Sequence, residues 1–131
     1  MKKLMLILSM CFSSLVLASK SDGIATAKDW LVIVDSGKYA VSWHKADPFF
    51  QSKLPEASWD MALKEAREPL GAVISRTELG SKEYTSLPGV QDGEYLIIQF
   101  ETDFQNKKSL TETVTLSKSS GEWLPVGYFI K

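Results

Sequence analysis

The sequence predicts an α+β fold in which three N-terminal helices pack on one face of a curved, four-stranded antiparallel meander. Two observations carry this. As far as Ala66 the apolar residues recur with the 3.6-residue period of amphipathic helices, and from Ala72 the period becomes two. The connections in the second half are turn-rich, as antiparallel neighbours require. Helices first and strands afterwards place the helices together on one side of the sheet.

The chain opens as an export signal. Lys2 and Lys3 form a positive head, Leu4 to Leu17 is apolar except for serines, and Val16-Leu17-Ala18 offers the small residues of a cleavage site. Cleavage is expected after Ala18, leaving 19–131 as one domain in the periplasm or outside the cell. Two alternatives are an uncleaved anchor, for which the run is shorter than the roughly 20 residues of a spanning helix, and acylation at Cys11, where Met10 replaces the small residue such sites need.

Ala27, Trp30, Leu31 and Val34 form the first helical stripe, interrupted by Asp35-Ser36-Gly37. A short helix over Lys38–Ala46 carries Tyr39, Ala40 and Trp43 on one side. Asp47-Pro48 ends it, and Phe49 and Phe50 wedge into the core beneath the corner. The third helix starts at Pro55 or at Ser58 as N-cap, buries Trp59, Ala62, Leu63 and Ala66, and stops at Pro69 and Gly71. Strands follow over Ala72–Glu83, Glu94–Phe104, Leu110–Lys118 and Glu122–Ile130. Leu87-Pro88-Gly89 with Asp92-Gly93, then Gln105-Asn106-Lys107-Lys108, then Ser119-Ser120-Gly121 connect them.

Composition excludes several function classes. The formal net charge of −1 becomes −3 when Lys2 and Lys3 leave, and no basic run appears, so nucleic acid and anionic membrane surfaces are not expected partners. The one cysteine leaves with the signal, which removes thiol catalysis, zinc–thiolate sites and disulfides from the mature chain. The one histidine, His44, ends a short helix beside Lys45 and is expected in solvent. It excludes a multi-histidine metal site. Asp92 with Glu94, and Glu101 with Asp103, resemble metal ligands only by count. No metal and no cofactor is expected.

Register follows from the side-chain pattern, because a one-residue slip turns every side chain to the other face. Pairing Phe104 with Leu110 aligns Phe100 with Val114, whereas the odd slip would set Glu101 against Glu112. Pairing Leu116 with Leu124 aligns Val114 with Val126 and Leu110 with Ile130. One polar row then remains among apolar ones: Thr102, Glu112 and Tyr128. Pairing symmetric about Gly89 adds Arg76 opposite Thr102, and with strands about 4.8 Å apart Arg76 reaches Glu112. The row reads as a structural ion pair with hydrogen bonds, as a ligand anchor in a cavity, or as a catalytic acid or base. Trp30, Trp43 and Trp59 on the inner helical stripes are core residues or the walls of an aromatic pocket. Tyr95, Ile97, Trp123 and Phe129 fall on the outer sheet face, apolar enough to point to a partner or a homodimer through the sheet.

Trp59, Arg67, Pro69-Leu70-Gly71 and Arg76, then Leu87-Pro88-Gly89, Asp92-Gly93-Glu94-Tyr95, Glu112-Thr113-Val114-Thr115 and the closing run from Trp123 to Ile130 resemble one family in this order. It is the domain-of-unknown-function 4019 family of short exported bacterial proteins, and the resemblance covers essentially all of 19–131. It implies a cone of helices on a curved sheet, similar to nuclear-transport-factor-2-like or cystatin-like folds. Such folds include isomerases, dehydratases and non-catalytic binding or dimerisation modules, so the architecture does not assign an activity. Proton-transfer enzymes of this kind place a carboxylate and a tyrosine in the cone. Glu112 and Tyr128 are suitable residue types, though no motif gives them those roles. The expectation is therefore a non-catalytic module for a small molecule or a protein partner. The alternatives are an acid–base enzyme using Glu112 and Tyr128, and a structural subunit dimerising through the sheet.

Overall fold

Helix α1 (Cys11–Asp35) ends in a Schellman turn. Gly37 takes a positive φ of 75°, its N–H donates to the Val34 carbonyl at 3.0 Å, and that of Lys38 donates to Ile33 at 3.3 Å. Only glycine adopts this conformation without strain. The structure, a computed structural model, describes residues 11–131, with side chains from Ser19 onwards. The export segment expected over 1–18 lies outside the residues described with side chains. Among the described residues no helix is long and apolar enough to cross a membrane.

Helix α2 (Tyr39–His44) is followed by α3 (Pro48–Lys53), α4 (Glu56–Arg67) and a 3-10 turn over Glu68–Leu70. Four helices therefore stand where three were expected. The Asp47-Pro48 pair that stops α2 also starts α3: Pro48 occupies the first turn, and the Asp47 carboxylate accepts from the Phe49 N–H at 2.8 Å. The two phenylalanines consequently part. Phe50 meets Trp59 edge-on at 5.1 Å, whereas Phe49, one position earlier, is 41 % exposed. In α4, Trp59, Leu63 and Arg67 are buried at four-residue spacing on one face.

Strands β1 (Val73–Tyr84), β2 (Tyr95–Phe104), β3 (Leu110–Ser117) and β4 (Leu124–Ile130) form one antiparallel sheet in the order β1-β2-β3-β4. The architecture is α+β, helices N-terminal to the sheet. The core joins Trp30, Leu31 and Val34 of α1 and Leu63 of α4 to Leu96, Ile98 and Phe100 of β2 and Val114 of β3.

Arg76 lies opposite Thr102, as symmetry about Gly89 predicts. The two later hairpins differ from expectation by two residues along the polar row, and in the last one a bulge between Thr115 and Leu116 reduces the slip to one, so that Leu116 faces Pro125 rather than Leu124. Leu110 pairs with Thr102 rather than Phe104, and Phe100 with Glu112 rather than Val114. Val114 pairs with Tyr128 rather than Val126, and Glu112 with Ile130. An even slip leaves every face unchanged, so patterning is blind to it. The loops make the choice. The Gln105 N–H donates to the Ala72 carbonyl and that of Asn106 to Leu70, at 2.8 and 2.9 Å, while Asp103 accepts from the Ser109 N–H at 2.8 Å. These bonds tie residues 105–109 into the connection. At the other end Trp123 leaves the ladder, its indole N–H donating to the Ser19 carbonyl at 2.8 Å, and β4 begins at Leu124.

The outer face is correspondingly less apolar than the pattern suggested. Trp123 and Tyr95 are both buried within the chain, Tyr95 with its hydroxyl donating to the Gln91 carbonyl. Ile97 is half-buried, leaving Phe129 as the large exposed side chain of the four, among threonines at 77, 111, 113 and 115.

Candidate functional site

Arg76, Thr102, Glu112 and Tyr128 come from the four strands in turn and meet on the inner face. In the observed register Thr102 and Glu112 are diagonal neighbours, as are Glu112 and Tyr128. Diagonal positions lie roughly 7–8 Å apart and are within reach of long side chains. Oε1 of Glu112 accepts from Arg76 Nε at 2.8 Å and from the Thr102 hydroxyl at 2.5 Å. Oε2 accepts from Arg76 Nη2 at 3.3 Å and from the Tyr128 hydroxyl. Four donors fill the acceptor capacity of a carboxylate.

Two further charges complete the group. Asp35, the last residue of α1, accepts from Arg76 at 2.8 and 2.9 Å and from Arg67 Nη2 at 2.7 Å. Arg67, the last residue of α4, also approaches the Tyr128 hydroxyl at 3.4 Å and lies over the Phe104 ring. In the sequence Asp35 reads as part of a helix stop, and Arg67 stands out only within the family resemblance. Their signal is positional: Asp35 follows Leu31 by four residues and Arg67 follows Leu63 by four, so each is a charge ending an apolar stripe.

Two arginines and two acids balance, which is what a buried group of charges requires. Glu112 is fully buried, and the Arg67 and Arg76 side chains are 5 % and 14 % exposed. Burial alone would raise Asp35, but the hydrogen bonds and charges of Arg76 and Arg67 hold it below the ordinary carboxylate value. Burial works against the charge on Arg76 as well, and the bonds to Asp35 and Glu112 overcome it and push the guanidinium higher. Tyr128 is raised well beyond the ordinary phenol value, first by burial and then by the Glu112 charge.

These directions set a pH profile. Asp35 is lower in the folded than in the unfolded chain, so its contribution is present above the ordinary value of 3.8 and is lost as pH falls through the folded value. Tyr128 is raised, so its contribution is present below 10.0 and is lost as pH rises beyond it. Urea midpoints measured across pH should fall on both limbs. Asp35→Asn should flatten the acid limb and Tyr128→Phe the alkaline one. Limbs unchanged in both variants would contradict the assignment.

The tryptophans divide. Trp30 and Trp59 are buried and stacked at 6.0 Å, their indole N–H groups donating to the Ser42 carbonyl and hydroxyl, both at 2.9 Å. Trp43 is half-buried and donates to the Leu54 carbonyl. Of the three, Trp30 alone lines a groove of about 540 Å³, in which Asp29 and Ile33 of α1 face Lys45, Pro48 and Gln51 of the α2–α3 corner. Trp30 thus separates the groove from Tyr128, whose ring it meets edge-on at 5.7 Å. His44 on the rim is exposed, 3.4 Å from Glu56. Among the described residues no three histidine, cysteine or acidic side chains are placed to hold a metal.

No curated protein matches the chain. Residues 26–128 match the family described as Protein of unknown function (DUF4019), a stretch running from within α1 to Tyr128. It contains every member of the charged group and every residue lining the groove, and the chain belongs to that family.

Proposed function

We propose that the chain is an exported, non-catalytic module that holds a small ligand in the groove beside Trp30, while the charged group is a structural tie between helices and sheet. The observation that carries this is the saturation of Glu112. A general base needs a free lone pair within reach of the proton it takes, and each acceptor position of Glu112 already faces a donor of the chain itself. Tyr128 holds its proton more tightly than a phenol in water, the opposite of what a proton donor needs. The acid–base reading of this pair therefore has no support in the geometry.

The groove has the properties the row lacks. It is open to solvent, has an aromatic wall, and its volume lies within the roughly 300–1,000 Å³ of small-molecule sites. Native mass spectrometry of protein purified from its own cell envelope tests the reading. The expected result is a mature chain beginning at Ser19 that carries a non-covalent adduct, lost on denaturation. A bare chain under gentle conditions, or an adduct that survives Trp30→Ala with the fold intact, would overturn it.

A further inference from the structure

We infer that the groove is built for a zwitterion of dipeptide size, its ammonium on Asp29, its carboxylate on Lys45 and its apolar body against Trp30 and Ile33. The inference rests on the groove being a binding site and names the class of ligand it takes.

The groove has walls of opposite sign. Asp29 stands on α1, and Lys45 stands on the corner between α2 and α3. Among the described residues neither has an ion-pair partner within the chain, whereas the inner charges Asp35, Arg67, Arg76 and Glu112 are all paired. An anion alone would meet Asp29, and a cation alone would meet Lys45 with His44 beside it. A molecule carrying both charges at its two ends satisfies both walls. Between them the lining is apolar, from Trp30 and Ile33 on one side to Pro48 and Leu124 on the other. A single amino acid would leave much of the volume unfilled.

The walls are also held in place before any ligand arrives. The Trp30 indole is fixed by its bond to the Ser42 carbonyl and by Trp59 behind it. The corner bearing Lys45 is knotted by Gln51, whose side-chain amide donates to the carbonyls of Trp43, His44 and Ala46 at 2.9, 3.2 and 3.4 Å. The Asp47 N–H donates to the Pro125 carbonyl at 2.8 Å and moors the same corner to β4. A rigid site loses less on binding than one that must order itself. Such mooring of an exposed corner fits a binding wall.

The test titrates the 19–131 chain with Leu-Leu, with N-acetyl-Leu-Leu and with Leu-Leu amide, following Trp30 by its indole N–H resonance. Leu-Leu should bind, and blocking either end should weaken it by about tenfold or more, as the loss of one charge-assisted bond of about 1.5–3 kcal/mol implies. Asp29→Asn should weaken Leu-Leu and leave the acetylated peptide unaffected. Lys45→Gln should weaken Leu-Leu and leave the amide unaffected. Both side chains are exposed and stand apart from the charged group, so both variants should unfold at the wild-type temperature. Leu-Leu binding indifferent to both variants and to both blocking groups overturns the inference. If no peptide binds but anilinonaphthalene sulfonate still shifts the Trp30 resonance, the zwitterion is overturned and the groove stands. If neither does, the groove reading falls with it.

Discussion

Glu112→Ala is expected to destabilise the protein by about 3–5 kcal/mol, the cost of breaking a buried ion pair by removing one partner. Arg76 would keep Asp35, which places the expectation toward the lower end, but the hydroxyls of Thr102 and Tyr128 would lose their acceptor as well. For a domain of this size the melting temperature should fall by roughly 12 °C or more, at about 4 °C per kcal/mol. A paired replacement, Arg76→Met with Glu112→Leu, removes one charge of each sign and leaves Asp35 with Arg67. It should cost less than Glu112→Ala alone, because no buried charge is then left uncompensated. Urea denaturation of both variants decides the matter. An alanine variant within about 0.5 kcal/mol of wild type, the range of ordinary surface substitutions, would show that the tie is not structural.

Gly23→Val is expected to cost about 3 kcal/mol, at the upper end of overpacking penalties. Helix α1 crosses the sheet so closely at Gly23 that an added Cβ would stand 2.5 Å from Leu96 Cδ2 and 3.4 Å from the Trp123 ring. Leu96 is fully buried in the core and cannot swing aside freely. Gly23→Ala isolates the clash, because alanine improves helix propensity by about 1 kcal/mol and yet should still be destabilising. The readouts are the unfolding free energy and the fluorescence of Trp123, whose bond to the Ser19 carbonyl depends on the same approach. A stabilised alanine variant would mean that the helix stands further from the sheet than the structure has it.

Much of the architecture is legible from residue order. The helical stripes of Ala27–Val34 and Trp59–Leu63, the switch to period two near Ala72, and the alternation along β2 each arise from contacts a few residues apart. Arg76 opposite Thr102 was legible because the turn centre at Gly89 sets that pairing. Membership of the polar row survived a register wrong by two residues, since parity decides the face and an even slip preserves it. The fourth helix was hidden because Asp-Pro carries two messages, a stop for α2 and a start for α3. Alternation places Trp123 and Tyr95 outward, but Trp123 lies before the first residue of β4, and Tyr95, paired with Tyr84 and Ser117, is covered by the loop at Gln91.

Sequence by itself determined the class of the fold, the face on which the residues of the polar row lie, and the presence of a carboxylate where the core should be apolar. Those features follow from backbone periodicity, which each segment carries alone. Tertiary structure decided what that carboxylate is. Asp35 and Arg67 are distant from it along the chain and reach it only because two helices end over the same rung, so that Glu112 is enclosed by donors of its own chain. The same packing opened the groove elsewhere, between α1 and a corner held by Gln51, by the bonds of Trp30 and Trp59 to Ser42 and by a backbone bond to Pro125. Charge balance in a core and the meeting of two walls are sums over distant residues, and no local pattern records them.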